Sequence, residues 1–340
     1  MVQQPVVTGA VRLLADQSDG LARRSVRLSD QSAGGSAADW TDRYGVAMSG
    51  ATLRQRLDRE RLTTSGEGAV LMPGVWDALT ARLGAQAGFD TVFLSGFCVS
   101  GTLLGLPDFG YLTQTEMAEV ARRVCAANPR LDVVVDADTG YGNPLNTIRT
   151  AELWQQAGAS GMFLEDQVWP KRCGHMAGKV VIERADWLAK LRAAVDHAPD
   201  VHITARTDAR AAIGLDDAIE RAKMARDTGV DALFVEAPES IAELVQIAAA
   251  LPDITLVANM VETGRTPLLT PDELAELGFT LIVSPLSALF SMVKAVKDSL
   301  ALLRSEGSLR AHLGRLLAFD EFTSLVDLDG HFATEAHYRD

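Results

Sequence analysis

The sequence predicts a (β/α)8 barrel of TIM type with an extended C-terminal helical segment, and three observations carry that prediction. Eight short apolar runs alternate with longer stretches whose apolar residues recur three and four positions apart. Three of those stretches end in glycine pairs just before the next run, at Ala87-Gly88, Ala157-Gly158 and Thr228-Gly229, a helix C-cap signal. Nearly every run ends in polar residues, as strands do where they converge on a barrel mouth. The alternative is an open doubly wound sheet, and the absence of a Gly-rich phosphate loop after the first run counts against it.

Taken in order, residues 1–65 are polar, rich in serine and glycine, and broken by Gly34-Gly35 and Gly50. They are expected to form a poorly ordered arm and a leading helix, with helical patterns over 11–14 and 53–62. Residues 66–340 are expected to form the barrel and its C-terminal helices. The strand runs are 70–72, 91–94, 133–135, 161–164, 201–205, 232–235, 255–258 and 280–283. Helical period marks 76–87, 114–127, 145–157, 186–194, 216–228, 241–251 and 271–276. A strongly apolar helix over 286–303 follows, then two short helices to about Asp327. That tail is longer than an eighth barrel helix requires, which points to packing against another subunit.

Composition narrows the function. A formal net charge of −13 over 340 residues argues against nucleic acid or an anionic membrane surface as partner. An anionic substrate stays open, because a bound metal and a few cations can reverse the sign inside a pocket. Three cysteines without paired spacing (Cys98, Cys125 and Cys173) fit a reducing cytoplasm, and no apolar run is long enough to span a membrane. Arginines and serines near the N-terminus leave an organelle-targeting alternative, against which Asp16, Asp19 and Asp30 count.

The strand-end residues Ser95, Asp136, Asp138, Glu165, Arg206, Asp208, Glu236, Asn259 and Glu262 would meet at one barrel mouth. Asp136 and Asp138, two apart on a strand, would point to the same side and repel unless a cation sits between them. Hard oxygen ligands suit Mg²⁺ or Mn²⁺, with Glu165 completing the shell directly or through water. The same Asp138-Thr139-Gly140 string also suits a plain turn.

The fourteen residues 166–179 lack periodicity and are long for a strand-to-helix connection, a length usual for functional loops. Within them Cys173 lies among Lys171, Arg172, His175 and Lys179, positive neighbours that would favour a thiolate. An incidental thiol in a solvated basic loop is the plainer account. Arg206 can grip a carboxylate with two hydrogen bonds or serve a structural ion pair. Ser95-Gly96 offers a hydroxyl and an approachable amide, or only a turn. Cys98 and Cys125, in apolar surroundings, read as packing residues.

In the order Ser95-Gly96, Leu104-Gly105-Leu106-Pro107-Asp108, Asp136-Ala137-Asp138-Thr139-Gly140, Glu165-Asp166-Gln167, Lys171-Arg172-Cys173-Gly174-His175, Ala205-Arg206-Thr207-Asp208, Glu236-Ala237 and Asn259-Met260-Val261-Glu262, these strings resemble the isocitrate lyase / phosphoenolpyruvate mutase superfamily. The likeness covers roughly residues 66–325, and its cysteine loop is that of the lyase branch. It implies Mg²⁺ (or Mn²⁺) at Asp136, Asp138 and Glu165. It assigns Cys173, Lys171, His175 and Glu236 to catalysis, and Ser95, Gly96, Asp108, Gly174, Arg206 and Asn259 to substrate binding.

The implied chemistry is retro-aldol (Claisen-type) cleavage of a 2-hydroxydicarboxylate, of 2-alkylmalate or 2-methylisocitrate type, with Cys173 protonating the enolate. A di- or tricarboxylate is then the small-molecule partner. The implied assembly is a homo-oligomer, dimer or tetramer, with the terminal helix exchanged between subunits. Mutase members carry an asparagine-serine type of loop where this chain has Cys173-Gly174-His175. Pro285 stands where oxaloacetate hydrolases of the superfamily carry serine, which favours lyase over hydrolysis of oxaloacetate to oxalate and acetate. Thr263 replaces a glycine common among relatives. A non-catalytic barrel subunit is the reading from another class.

Overall fold

The computed structural model of the chain describes residues 50–62, 68–174 and 178–339, all within one unit, Asp39–Asp340. Of the arm and leading helix expected over 1–65, residues 1–49, with the helical pattern over 11–14, and 63–65 lie outside the described residues.

Eight parallel strands close into a barrel in sequence order: β1 Val70–Val75, β2 Thr91–Leu94, β3 Asp132–Asp136, β4 Gly161–Glu165, β5 His202–Thr207, β6 Ala232–Val235, β7 Thr255–Asn259 and β8 Leu281–Ser284, which pairs back with β1. The helices are α1 Gly50–Leu62, α2 Ala78–Gln86, α3 Gly96–Val99, α4 Gln114–Ala127, α5 Pro144–Ala157, α6 Arg184–His197, α7 Ala209–Ala212, α8 Leu215–Arg226, α9 Ile241–Ala250, α10 Pro271–Glu276, α11 Ser287–Glu306, α12 Phe319–Leu325 and α13 Leu328–His337. Helix starts follow local chemistry. Thr113 and Glu116 form a capping box before α4, as do Thr270 and Glu273 before α10, and Asn143 with Pro144 opens α5. The expected C-caps hold: Gly88, Gly158 and Gly229 all have φ near +90°.

Strand parity sorts the core into two clusters. One face of each strand, including Val92, Leu94, Val133, Val135, Met162, Leu164, Ile203, Ala205 and Ile282, packs outward against the helices. The other face, with Met72, Phe93, Val134, Phe163, Phe234, Val257 and Val283, fills the barrel interior. Asp136, Glu165 and Arg206 share this inward parity with Val134, Phe163 and Thr204. The polar strand ends are therefore the top layer of the interior, directly above an apolar one.

The floor of the barrel is closed by α1. Leu53 and Leu57, four apart on one helix face, are fully buried among the interior side chains. Burying two leucines contributes roughly 3–6 kcal/mol. That outweighs the intrinsic stability of a helix this short, which is marginal alone in water. Gly50 starts the helix because its amide donates to the Asp200 carbonyl at 2.7 Å, and a Cβ there would lie 2.5 Å from that oxygen. Arg54 then clamps the helix with Asp231, Nε to Oδ1 at 2.6 Å, and donates to the Pro199 and Val201 carbonyls.

Three differences from the sequence expectations have simple causes. Ser95-Gly96 opens a four-residue helix, α3, that runs into a π-helical turn over Ser100–Leu104, too short to leave a periodic trace. Strand β5 continues through Thr207, so Arg206 lies within it rather than past its end. The tail does not stop near Asp327. The left-handed Asp327 (φ 59°) ends one short helix and lets a further one, α13, begin and run to His337.

Candidate active site

One cleft at the mouth gathers most of the expected residues. Its walls include Ser95, Asp108, Asp136, Cys173, Gly174, Arg206, Glu236 and Asn259, and its floor is Phe93, Phe163 and Phe234. These rings stack in sequence, with centroids 4.9 Å apart for Phe93–Phe163 and 5.6 Å for Phe163–Phe234. Phe97, Val261, Pro285 and Leu286 form an apolar side wall. Trp169 and Leu289, by contrast, are not part of the lining. A larger groove of about 520 Å³ lies between α2 and α11. It is lined mainly by apolar side chains and has no convergent charges, so the chemistry belongs to the mouth.

Lys171 is the cation of the acid cluster. Its Nζ lies 2.6 Å from Asp108 Oδ1 and 2.7 Å from Asp138 Oδ1, with all three side chains buried. Burial works against the ammonium, but Asp138, Asp108, Asp136 and Glu165 outweigh it and raise its pKa well above the ordinary lysine value. Asp138 titrates near 7, because burial and the charges of Asp136 and Asp108 overcome the pull of Lys171. Burial likewise lifts Glu165 well above the usual carboxylate range.

Asp136 and Asp138 are not neighbours on one strand face, as the spacing suggested. Strand β3 ends at Asp136; Asp138 sits in a turn at φ 46°, and its amide donates to Asp136 Oδ1 at 3.0 Å. The turn account of this string therefore applies. Ser95 accepts from the Cys98 amide at 3.4 Å as the cap of α3, and the Gly96 amide donates to Asp136 Oδ2 at 3.3 Å.

Arg206 is held entirely by acids of its own chain. Its Nε lies 3.0 Å from Asp208 Oδ2, its Nη2 3.4 Å from Glu165 Oε2, and Glu236 Oε2 is 3.9 Å away. Its guanidinium stacks over Phe234 at 5.3 Å. Asn259 Nδ2 lies 3.3 Å from both oxygens of Glu236. The structural ion pair weighed from sequence is present, and the guanidinium still lines the cleft.

The cysteine loop is folded back over the site. The Cys173 amide donates to the Asp108 carbonyl at 3.2 Å, and Gln167 bonds both the amide and the carbonyl of Arg172. Gly174 has no room for a side chain: a Cβ would stand 2.5 Å from Glu236 Oε1 and 2.6 Å from Arg206 Nη2. The expected positive surroundings of Cys173 need correction. Lys171 is bound to two aspartates, Lys179 Nζ lies 2.6 Å from Asp208, and Arg172 lies over the Phe109 ring. The nearby cations are already paired, because the barrel mouth supplies more acids than the loop supplies bases. His175 lies outside the described residues. Cys98 and Cys125 are buried, and burial raises both thiols to about 12, in keeping with packing roles.

Among the described residues the site crowds Asp108, Asp136, Asp138, Glu165, Asp208 and Glu236 around Lys171, Lys179 and Arg206. Such an excess of hard oxygen donors suits a divalent cation. Buried Glu165 Oε1 accepts no hydrogen bond from a described residue, an oxygen a hydrated ion would satisfy. The donor set fits Mg²⁺, but not as a closed shell. No three His, Cys, Asp or Glu side chains among the described residues converge tightly enough to hold an ion alone, since Lys171 stands between Asp108 and Asp138. Water would have to complete the coordination of an ion placed there.

Sequence reading missed the aromatic floor and Tyr141. A signal for the floor was present: phenylalanine precedes the polar strand end by two in Phe93–Ser95, Phe163–Glu165 and Phe234–Glu236. Tyr141, at φ 58°, packs between Trp154 and Trp169, and nothing in the spacing marks it.

Comparisons with known proteins give the family and the fold. Residues 59–304 match the family described as phosphoenolpyruvate phosphomutase. A carboxyvinyl-carboxyphosphonate phosphorylmutase, chloroplastic, of Arabidopsis thaliana is 50% identical, over 80% of this chain and 81% of that one. The petal death protein of Dianthus caryophyllus is 45% identical, covering 80% and 86%. The 2,3-dimethylmalate lyase of Eubacterium barkeri is 39% identical, covering 82% and 96%. A solved oxaloacetate acetylhydrolase, in complex with 3,3-difluorooxalacetate, superposes with a TM-score of 0.80 at 31% identity, covering 86% and 98%.

Proposed function

Since the chain belongs to the phosphoenolpyruvate mutase / isocitrate lyase superfamily and is an enzyme of its lyase class, we propose that it is a Mg²⁺-dependent carbon–carbon lyase. Its substrate is a 2-hydroxydicarboxylate of 2-alkylmalate or 2-methylisocitrate type, and its products are a 2-keto acid and a carboxylate. The observation that carries this reading is that Cys173, Asp136 and Arg206 line one cleft above an aromatic floor.

Asp136, Asp138 and Glu165 would hold the ion, which when bound lowers the cost of an alkoxide next to a carboxylate. Arg206, Ser95 and the Gly96 amide bind and orient the substrate carboxylates. Phe93, Phe163 and Phe234 exclude water beneath the breaking bond, which strengthens every charge interaction above them. Lys171 places positive charge where the carboxylate enolate develops, and Glu236, 3.3 Å from Asn259 Nδ2, orients that amide in the cleft. Cys173 delivers the proton that converts that enolate into product. Pro285, on the side wall, offers no hydroxyl to a hydrated ketone, which supports cleavage over oxaloacetate hydrolysis.

The Arabidopsis relative's name supports a second reading, phosphorus–carbon chemistry, against which the thiol on the cleft wall stands. Product analysis decides: Mg²⁺ with 2-methylisocitrate, 2,3-dimethylmalate, 2-alkylmalates, isocitrate, oxaloacetate and phosphonopyruvate. A 2-keto acid from one hydroxydiacid, lost on chelation, is the expected result. Oxalate from oxaloacetate alone, or turnover of the phosphonate alone, overturns the lyase assignment.

The same reading includes a homo-oligomer. Leu289 is the one buried residue of helix α11, which exposes Phe290, Val293, Val296, Leu300 and Leu303 beside the apolar groove against α2. Among the described residues no helix is long and apolar enough to cross a membrane. We place the enzyme in the cytoplasm; import of the full chain into isolated chloroplasts would move it to the compartment named for the Arabidopsis relative.

A further inference from the structure

We propose that Lys179 is the positioning residue for Cys173, and that Asp208 couples it to Arg206. Lys179 is an ammonium with a completely buried side chain, a costly placement unless its partners are fixed. It has two. Its Nζ donates to Asp208 Oδ1 at 2.6 Å and to the Gly174 carbonyl at 2.5 Å.

Asp208 is itself immobile. Its amide donates to Asp166 Oδ1 at 2.8 Å, and Asp166 is in turn bound by Thr207 Oγ1 at 2.7 Å and Arg221 Nη1 at 3.3 Å. Arg206 Nε and Nη2 donate to the same carboxylate at 3.0 and 3.2 Å. Asp208 is therefore one anion shared by two cations, one lining the cleft and one holding the cysteine loop.

The geometry fixes Cys173 from both sides. Its own amide is tied to Asp108, and the carbonyl of the next residue is tied to Lys179. Gly174, between those ties, already touches Glu236 and Arg206 with no room for a Cβ. A shift of the Gly174 carbonyl therefore displaces the thiol relative to the cleft. A substrate carboxylate that draws Arg206 also alters its hold on Asp208, and so the anchor of the loop. The catalytic part of this inference rests on the reading of Cys173 as proton donor; the structural part does not.

The test separates the two. Alkylation of Cys173 by iodoacetamide is followed by mass spectrometry without substrate, with buried Cys98 and Cys125 as internal controls, in wild type, Lys179→Met and Lys179→Arg. Lys179→Met should change the Cys173 rate at least about tenfold and lower kcat about 100-fold, a cost typical of a misplaced group, while KM stays within about threefold. Lys179→Arg, which can still reach both partners, should restore part of both. A Lys179→Met protein with wild-type alkylation and wild-type kcat overturns the proposal. If Lys179→Met does not fold, Asp208→Asn decides: altered alkylation together with a changed KM supports the coupling, and unaltered alkylation overturns it. Altered alkylation in a protein whose wild type cleaves no hydroxydiacid sinks the lyase reading and leaves the positioning role standing.

Discussion

The two ends of the barrel bury charge in opposite ways. At the floor, Arg54 meets Asp231 in a two-pronged pair and Arg56 Nη2 lies 3.2 Å from buried Asp132. At the mouth, acids outnumber the cations that hold them, and burial pushes Asp138, Glu165 and Asp166 upward, as it does the single floor acid Asp132. Backbone strain divides the same way. The helix-to-strand turns at the floor place glycine at positive φ, at Gly88, Gly158, Gly229 and Gly278. The strand-to-helix loops at the mouth place Asp138, Tyr141, Ala237 and Thr263 there in addition to glycines such as Gly140 and Gly178. One end is built for stability and the other holds charge and strain in a reactive arrangement.

The largest test of that division is at the mouth. Cys173→Ser should reduce turnover by about 10³-fold, the range of a lost general acid, and leave the melting temperature unchanged. A large loss of stability in this variant would mean that the mouth, too, is built to hold the fold.

His202, buried at the floor, sharpens the contrast through pH. Burial is the main cause that lowers its pKa from 6.5 to about 4, with Arg54 acting the same way and Asp231 opposing. The unfolded chain therefore binds a proton between pH 6.5 and 4 that the native state does not. The stability from neutral His202 is whole above pH 6.5 and is lost as pH falls, by up to about 3 kcal/mol near pH 4. Urea midpoints of wild type and His202→Asn should converge as pH drops from 7.5 to 5; a constant gap would refute the assignment.

Arg54→Met should destabilise by about 2 kcal/mol, since it leaves Asp231 with the Ile203 amide as its remaining donor and removes the donor to two backbone carbonyls. The folded fraction should keep wild-type kcat/KM, and a fall in that constant would break the separation of the two ends. Smallest is Thr263→Gly. A β-branched residue at φ 63° is strained, and glycine's extra chain entropy offsets part of the relief, leaving about 0.5–1 kcal/mol of stabilisation by calorimetry.

Alternation of apolar runs and helical stretches made the barrel legible, because both periods follow from strand and helix geometry alone. The mouth was legible where strand parity decides: Asp136 and Glu165 are the inward-facing ends of their strands, and Arg206 faces inward one residue before the end of its own. Pairing was not. Nothing in the spacing says that Lys171 lies between Asp108 and Asp138, or that Lys179 is spent on Asp208, since those contacts join residues 29 to 63 positions apart across different loops. The charge around Cys173 was misjudged for that reason: sequence neighbours were counted, while the partners came from elsewhere in the barrel. Thr263 gains its account from a dihedral angle that no sequence displays.

Leu53 and Leu57 have a kinetic consequence. With the floor stoppered, everything that enters or leaves the cleft uses a single doorway. An enzyme that splits one molecule into two must then discharge its fragments in turn, and the fragment nearer the aromatic floor waits for the other. Product inhibition should therefore be unequal: the keto acid or carboxylate that departs last competes with incoming substrate, and its companion does not.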